Sequence, residues 1–179
     1  GGEMIPERQN YTTVCMVSRR PAMHSVRPIF YRCGTCGSIS IGYGECSLTE
    51  FKCGCNGMRR LLELPGSRKK DDIHSLSYVF FGGTEHNAVQ ILVGGGNHPM
   101  SRGHHIQWIY LLTYEGGQIK YLDTSLKAQA TFAMAGMDAY SYCNRNICRM
   151  GHERCQFQCK RGWEIYAYCS LHGLSHLAL

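Results

Sequence analysis

The chain has 179 residues, of which 44% are hydrophobic, enough for one core or for one core and a small added module. Its formal net charge of +6 suits an anionic partner, and no apolar run is long enough to form a helix across a membrane. Its 11 cysteines are too few for a disulfide scaffold and odd in number, so metal binding in a reducing compartment, cytoplasmic or nuclear, is expected.

The chain opens on Gly1-Gly2 rather than Met and has no apolar leader, which reads as a fragment or a processed product. Tyr11 to Val17 is rich in β-branched and aromatic residues and is expected as a strand. Pro21 and Pro28 bracket a loop that Arg19, Arg20, His24 and Arg27 make basic: a solvated loop, or one that contacts an anion. Cys33-x-x-Cys36, Cys46 and Cys53-x-Cys55 follow. Two close thiol pairs suit a tetrahedral zinc ion held in a small ribbon. The ligands expected are Cys33, Cys36, Cys53 and Cys55, with Cys46 spare. Four thiolates would close the site, so its role is read as structural. Pro65-Gly66-Ser67 and the charged run Arg68 to Asp72 form a linker, which places a boundary near residue 70. Residues 1–70 are then an N-terminal segment with a zinc ribbon at 33–55, and residues 71–179 a second domain.

In that second part, Ser77 to Phe81 reads as a strand. Thr84 caps a helix over Glu85 to Val93, with Ala88, Ile91 and Leu92 on one face, and Gly94 to Gly96 stop it. His104 and His105 stand at the mouth of a strand over Ile106 to Thr113. Successive strand residues face opposite sides, so only one of the two enters a pocket. Glu115-Gly116-Gly117 turns the chain into a strand over Gln118 to Leu122. Thr124 or Ser125 caps a second helix reaching about Met134, and Trp163 to Tyr168 alternates as a last strand. The tail over 143–162 carries Arg145, Arg149, Arg154, Lys160 and Arg161. It also holds Cys143, Cys148, His152, Cys155 and Cys159, which are free thiols or a second metal site. With Phe157 and Trp163 nearby, the stretch suits an RNA backbone and a stacked base.

The series Gly83-Thr84, Ile91, Gly94, Met100, Arg102, His104 or His105, Ile106, Asp123, Ala128, Gly136-Met137, Tyr140, Ser141, Asn144 and Ile147 resembles, in order, the KptA-type RNA 2'-phosphotransferases of the ADP-ribosyltransferase superfamily. The resemblance implies that an ADP-ribosyltransferase-like mixed sheet with short helices follows the zinc-ribbon-like module, an α+β chain as a whole. It implies NAD-dependent transfer of an RNA 2'-phosphate, with NAD as a cofactor beside the zinc read from the cysteines and RNA as partner. Arg102, His104 and His105 would be catalytic, and Gly83, Thr84, Tyr140, Ser141 and Asn144 would hold NAD. Two other readings stand beside it. Gly82 replaces a family histidine, which suits an inactive zinc- and RNA-binding module. The cysteine pairs followed by Gly103-His104 and Asp123 imitate a zinc-finger papain-like protease, for which Cys15 is the only upstream cysteine.

Overall fold

The computed structural model describes residues 26–45, 48–65, 71–82, 87–141, 150–153 and 156–179. Strands dominate them, and the α+β expectation is overturned. One α-helix is present among the described residues, α1 (Gly136–Ala139), beside a 3-10 turn at Gly94–Gly96. The residues read as a helix from Glu85 form β6 (Ala88–Val93) from Ala88 onward. Val89, Ile91 and Val93 are fully buried while their neighbours are half-buried, a period of two. Branched residues fit a pleat better than a helix turn, and the pairing of Ala88, Ile91 and Leu92 at helical spacing has no structural weight. The second expected helix is β10 (Gln129–Ala133), which buries Ala130 and Phe132 on one face. The expected strand at Tyr11 to Val17 lies outside the described residues.

β1 (Ile29–Cys33), β2 (Ile39–Gly42), β3 (Glu50–Lys52) and β4 (Met58–Leu61) form an antiparallel sheet in the order β2-β1-β4-β3. β5 (Leu76–Phe81), β6 and β10 form a second, in the order β10-β6-β5. The third runs β12-β11-β8-β7, where β7 is Met100–Ser101, β8 His104–Leu112, β11 Glu164–Cys169 and β12 Gly173–Ala178; β9 (Gly117–Tyr121) also pairs with β8.

The third sheet is apolar on both faces. Ile106, Ile109, Leu111 and Ile165 pack against Val89, Ile91 and Phe132 of the second sheet. Trp108, Tyr110, Tyr166 and Tyr168 pack against Phe30 of the first, with Phe30 and Trp108 ring centroids 4.8 Å apart. A bulge in β8 arranges this. Tyr168 pairs with Trp108 and Cys169 with Ile106, so Gln107 is the extra residue. The bulge reverses the alternation and leaves His104 on the side of Ile106 and His105 on the opposite side.

Asp138 ties the end of β8 to α1. Its buried carboxylate accepts bonds from the Thr113 hydroxyl at 2.7 Å, the Tyr114 amide at 3.0 Å and the Glu115 amide at 3.2 Å. Asp138→Ala should lower stability by about 3 kcal/mol, because these donors lose a charged acceptor inside the protein. The measurement is the urea midpoint at unchanged slope; a shift under about 1 kcal/mol would contradict the account.

Candidate metal centre

Two clusters of metal-ligating side chains stand out among the described residues: Cys33, Cys36, Cys53 and Cys55, and His74, His104, Cys169 and His172; within each, the ligand atoms all lie within 4.8 Å of one another. The first is built by two turns at one end of the β1–β4 sheet. Thr35 and Cys36 amides point at the Cys33 sulfur at 3.4 and 3.5 Å, and the Gly57 amide points at the Cys55 sulfur at 3.4 Å. The Ser38 hydroxyl lies 2.9 Å from the Cys36 sulfur. Hydrogen bonds from the Ser38 side chain and backbone pull the Cys36 thiol down to about 6, which favours the thiolate a metal requires.

The second cluster lies where strand ends converge. His74 precedes β5, His104 opens β8, Cys169 closes β11 and His172 sits in the turn to β12. His98 joins them from the loop after β6. Gly94 carries that loop past Ile73, whose carbonyl oxygen would be 2.6 Å from any Cβ at residue 94. Ring centroids run around a near-square: His74 to His98 4.8 Å, His98 to His104 4.8 Å, His104 to His172 4.9 Å and His172 to His74 4.8 Å, with a His74–His104 diagonal of 6.3 Å. Cys169 is fully buried beside these imidazoles, its sulfur 3.5 Å from His172 Nδ1. The His172 side is exposed.

Whether these residues fit a metal is answered by their nitrogens. His74 Nδ1 is held by the Asp71 carboxylate at 2.8 Å, and His98 Nδ1 donates to the Pro99 carbonyl at 2.7 Å. Each bond fixes a tautomer whose Nε2 carries a lone pair. The Nε2 atoms of His74, His98 and His104 are buried and have no hydrogen-bond partner. A buried polar atom left unpaired costs on the order of 1–3 kcal/mol, so three together mark a shared ligand. An imidazole held through its other nitrogen by a carboxylate or carbonyl is the usual arrangement around a bound metal. Burial also holds the His98 and His104 imidazoles below the ordinary histidine range, His104 further lowered by His172, so both stay neutral and able to ligate. The fit is good.

The expected transferase site does not assemble. Arg102 is exposed in the two-residue turn between β7 and β8. His104 joins the imidazole ring, whereas His105 lies on the other face of β8. Gly83, Thr84 and Asn144 lie outside the described residues. The residues read as the body of the helix behind Thr84 form β6 from Ala88 to Val93 instead. Tyr140 is exposed, and Ser141 is buried with its hydroxyl donating to the Asp138 carbonyl at 3.0 Å. Two residues of the basic tail expected to meet RNA do not face solvent: Lys160 is buried, with Nζ bonded to the carbonyls of Asp138 at 2.9 Å and Ala139 at 2.6 Å, and Trp163 is fully buried. Of the tail's proposed ligands, Cys143, Cys148 and Cys155 lie outside the described residues. The protease reading fails as well. Asp123 is exposed and caps its own turn through the Ser125 amide at 3.0 Å. Cys15 and Cys46 lie outside the described residues. Zinc is no better supported than iron, because a four-thiolate set accepts either.

Sequence reasoning missed His74, His98, Cys169 and His172. The available signals were Cys169-x-x-His172, the spacing of a metal-binding pair, and the histidines at 98 and 104 flanking a short hairpin.

The comparisons overturn the resemblance to RNA 2'-phosphotransferases. A family model described as desulfoferrodoxin matches residues 80–148. No curated protein sequence matches the chain. Among solved structures, the superoxide reductase from Treponema pallidum is 21% identical at a TM-score of 0.60, over 84% of this chain and 98% of that one. The superoxide reductase (1Fe-SOR) from Giardia intestinalis is also 21% identical, at a TM-score of 0.39, over 61% of this chain and 100% of that one. The first likeness establishes a shared fold.

Proposed function

We propose that the chain is a superoxide reductase whose metal is iron, held by His74, His98, His104, His172 and Cys169. The observation that carries this reading is the ring of four imidazoles beside one buried thiol. The fold shared with the Treponema protein and the match to the desulfoferrodoxin model support iron and superoxide. When bound, ferrous iron supplies one electron to superoxide, which with two protons leaves as hydrogen peroxide.

The residues set the conditions for that transfer. As ligands, four imidazoles and one thiolate would bring a single negative charge, so a divalent ion held there would keep a net positive charge that attracts an anion. With five protein donors, the ion would keep room for a small molecule. The buried Cys169 sulfur lies on the protein side, and the exposed His172 side admits superoxide and water-borne protons. Asp71 and the Pro99 carbonyl keep His74 and His98 in the required tautomers. Arg102, on the turn two residues before His104, adds positive potential at the entrance. Arg102→Ala should slow the second-order reaction roughly threefold at low salt and hardly at all at high salt; an equal loss at both would contradict steering.

Cys33, Cys36, Cys53 and Cys55 would hold a second iron in a tetrahedron of thiolates.

The reading is tested by loading the chain with ferrous iron, mixing it rapidly with superoxide, and measuring products. Hydrogen peroxide without oxygen, with loss of one ferrous ion per superoxide, is expected. Oxygen release in step with peroxide would mean dismutation, and no consumption of superoxide would end the proposal.

A further inference from the structure

We infer that the cleft between the first cysteine turn and the β8–β9 edge binds a small oxyanion, through a carboxylate or phosphate group. The cleft holds about 470 Å³, lined on one side by Gly37 and Ser38 and on the other by His105, Gln107 and Tyr121. That size suits a small ligand. It lies across β8 from the imidazole ring, so it is separate from the proposed superoxide site.

The observations all favour an anion. None of the residues lining the cleft is acidic. His105 Nδ1 is buried and has no partner, and so is Arg32 Nε. The Arg32 guanidinium lies behind the Gly37 wall, with Nη2 3.3 Å from where a Cβ on residue 37 would stand. Gly37 has φ +72, and its missing side chain leaves room beside this guanidinium. Arg59 Nη1 donates to the Ser38 carbonyl at 3.2 Å, so a second guanidinium backs the same wall. Among the described residues, no ion pair joins Arg32 or Arg59 to a carboxylate. Two guanidinium groups without a carboxylate partner, an unpaired ring nitrogen and the Gln107 amide can satisfy the oxygens of one carboxylate or phosphate.

Position gives the site a consequence. Ser38 bonds the Cys36 sulfur, and His105 is covalently joined to His104, so an occupant touches the neighbours of both metal sets.

The test uses the metal-loaded full chain and isothermal titration calorimetry at constant ionic strength, with inorganic phosphate, succinate and chloride as separate titrants. Saturable one-to-one binding of phosphate or succinate, absent with chloride, is expected; the tighter of the two identifies the preferred group. His105→Leu and Arg59→Gln should each weaken it at least about tenfold. Metal content and circular dichroism should stay at wild-type values. If His105→Leu loses metal, Arg59→Gln, a half-buried residue outside both ligand sets, carries the test alone. Absence of saturable heat with both oxyanions, equal binding of chloride, or unchanged affinity in a correctly metallated variant would overturn the inference. Binding heat does not depend on turnover, so failure here is distinguishable from failure of the superoxide reading.

Discussion

Cys169→Ala should remove superoxide reduction while leaving the fold in place. Cys169 would supply the one anionic donor of the proposed centre, because imidazoles ligate a metal as neutral groups. Changing a group that merely supports a ligand costs 10–100-fold in metal affinity or activity, so losing this ligand should cost on the order of 100-fold or more. The structural cost is small by comparison. Alanine keeps the β-carbon, and the lost sulfur leaves a gap worth about 1 kcal/mol. The backbone is held independently: the Ser170 amide donates to the His105 carbonyl at 2.9 Å, and the His105 amide donates to the Ser170 hydroxyl at 3.1 Å. Elemental analysis should find less iron per chain, with the cysteine set near β1 still loaded. Full activity with unchanged iron content would remove Cys169 from the centre, and with it the reading that a thiolate completes the imidazole ring.

Parts of the sheet were legible because their residues obey one period. Ser77 to Phe81, Ile106 to Thr113, Gln118 to Leu122 and Trp163 to Tyr168 read as strands and overlap β5, β8, β9 and β11. β6 and β10 were misread because a short apolar run satisfies two periods at once. Only pairing settles it: Gln129 to Ala133 sits opposite Leu92 to Ala88 in register. The cysteine turns were legible from spacing, since each pair meets through local chain alone. The imidazole ring was not, because its members come from separate strand ends that only the topology brings together. The alternation of His104 and His105 placed them on opposite faces, but nothing local identified His74 or His172 as neighbours of His104. The phosphotransferase resemblance rested on the order of isolated residues, and order carries no geometry. Arg102 went to an exposed hairpin turn, and Ser141 to a buried turn beside Lys160.

Cys33→Ser should unravel the β1–β4 sheet. This sheet owns little core: Phe30, Tyr31, Cys33 and Cys53 are its buried apolar residues among those described. Two of those four belong to the thiol cluster, so the sheet depends on whatever the sulfurs hold. Metal binding at such a closed thiolate site is worth on the order of 10 kcal/mol, far more than the burial of Phe30 and Tyr31 returns. Cys33 is also the hub of its turn, since its sulfur accepts from the Thr35 and Cys36 amides and lies 3.5 Å from the Cys55 sulfur. Serine keeps the size but supplies a poor ligand, so the loss reports the metal rather than a cavity. Hydrogen exchange should therefore lose protection across 29–61. The effect should then spread through Phe30, whose ring packs on Trp108 and on Tyr166 with centroids 5.2 Å apart in the latter pair. Tryptophan emission should shift to the red as Trp108 meets water. β6 and β10 pack on the far side of the third sheet and should keep their protection. Uniform loss of protection would mean the two cores fold as one unit, and unchanged protection across 29–61 would mean the sheet stands without its metal.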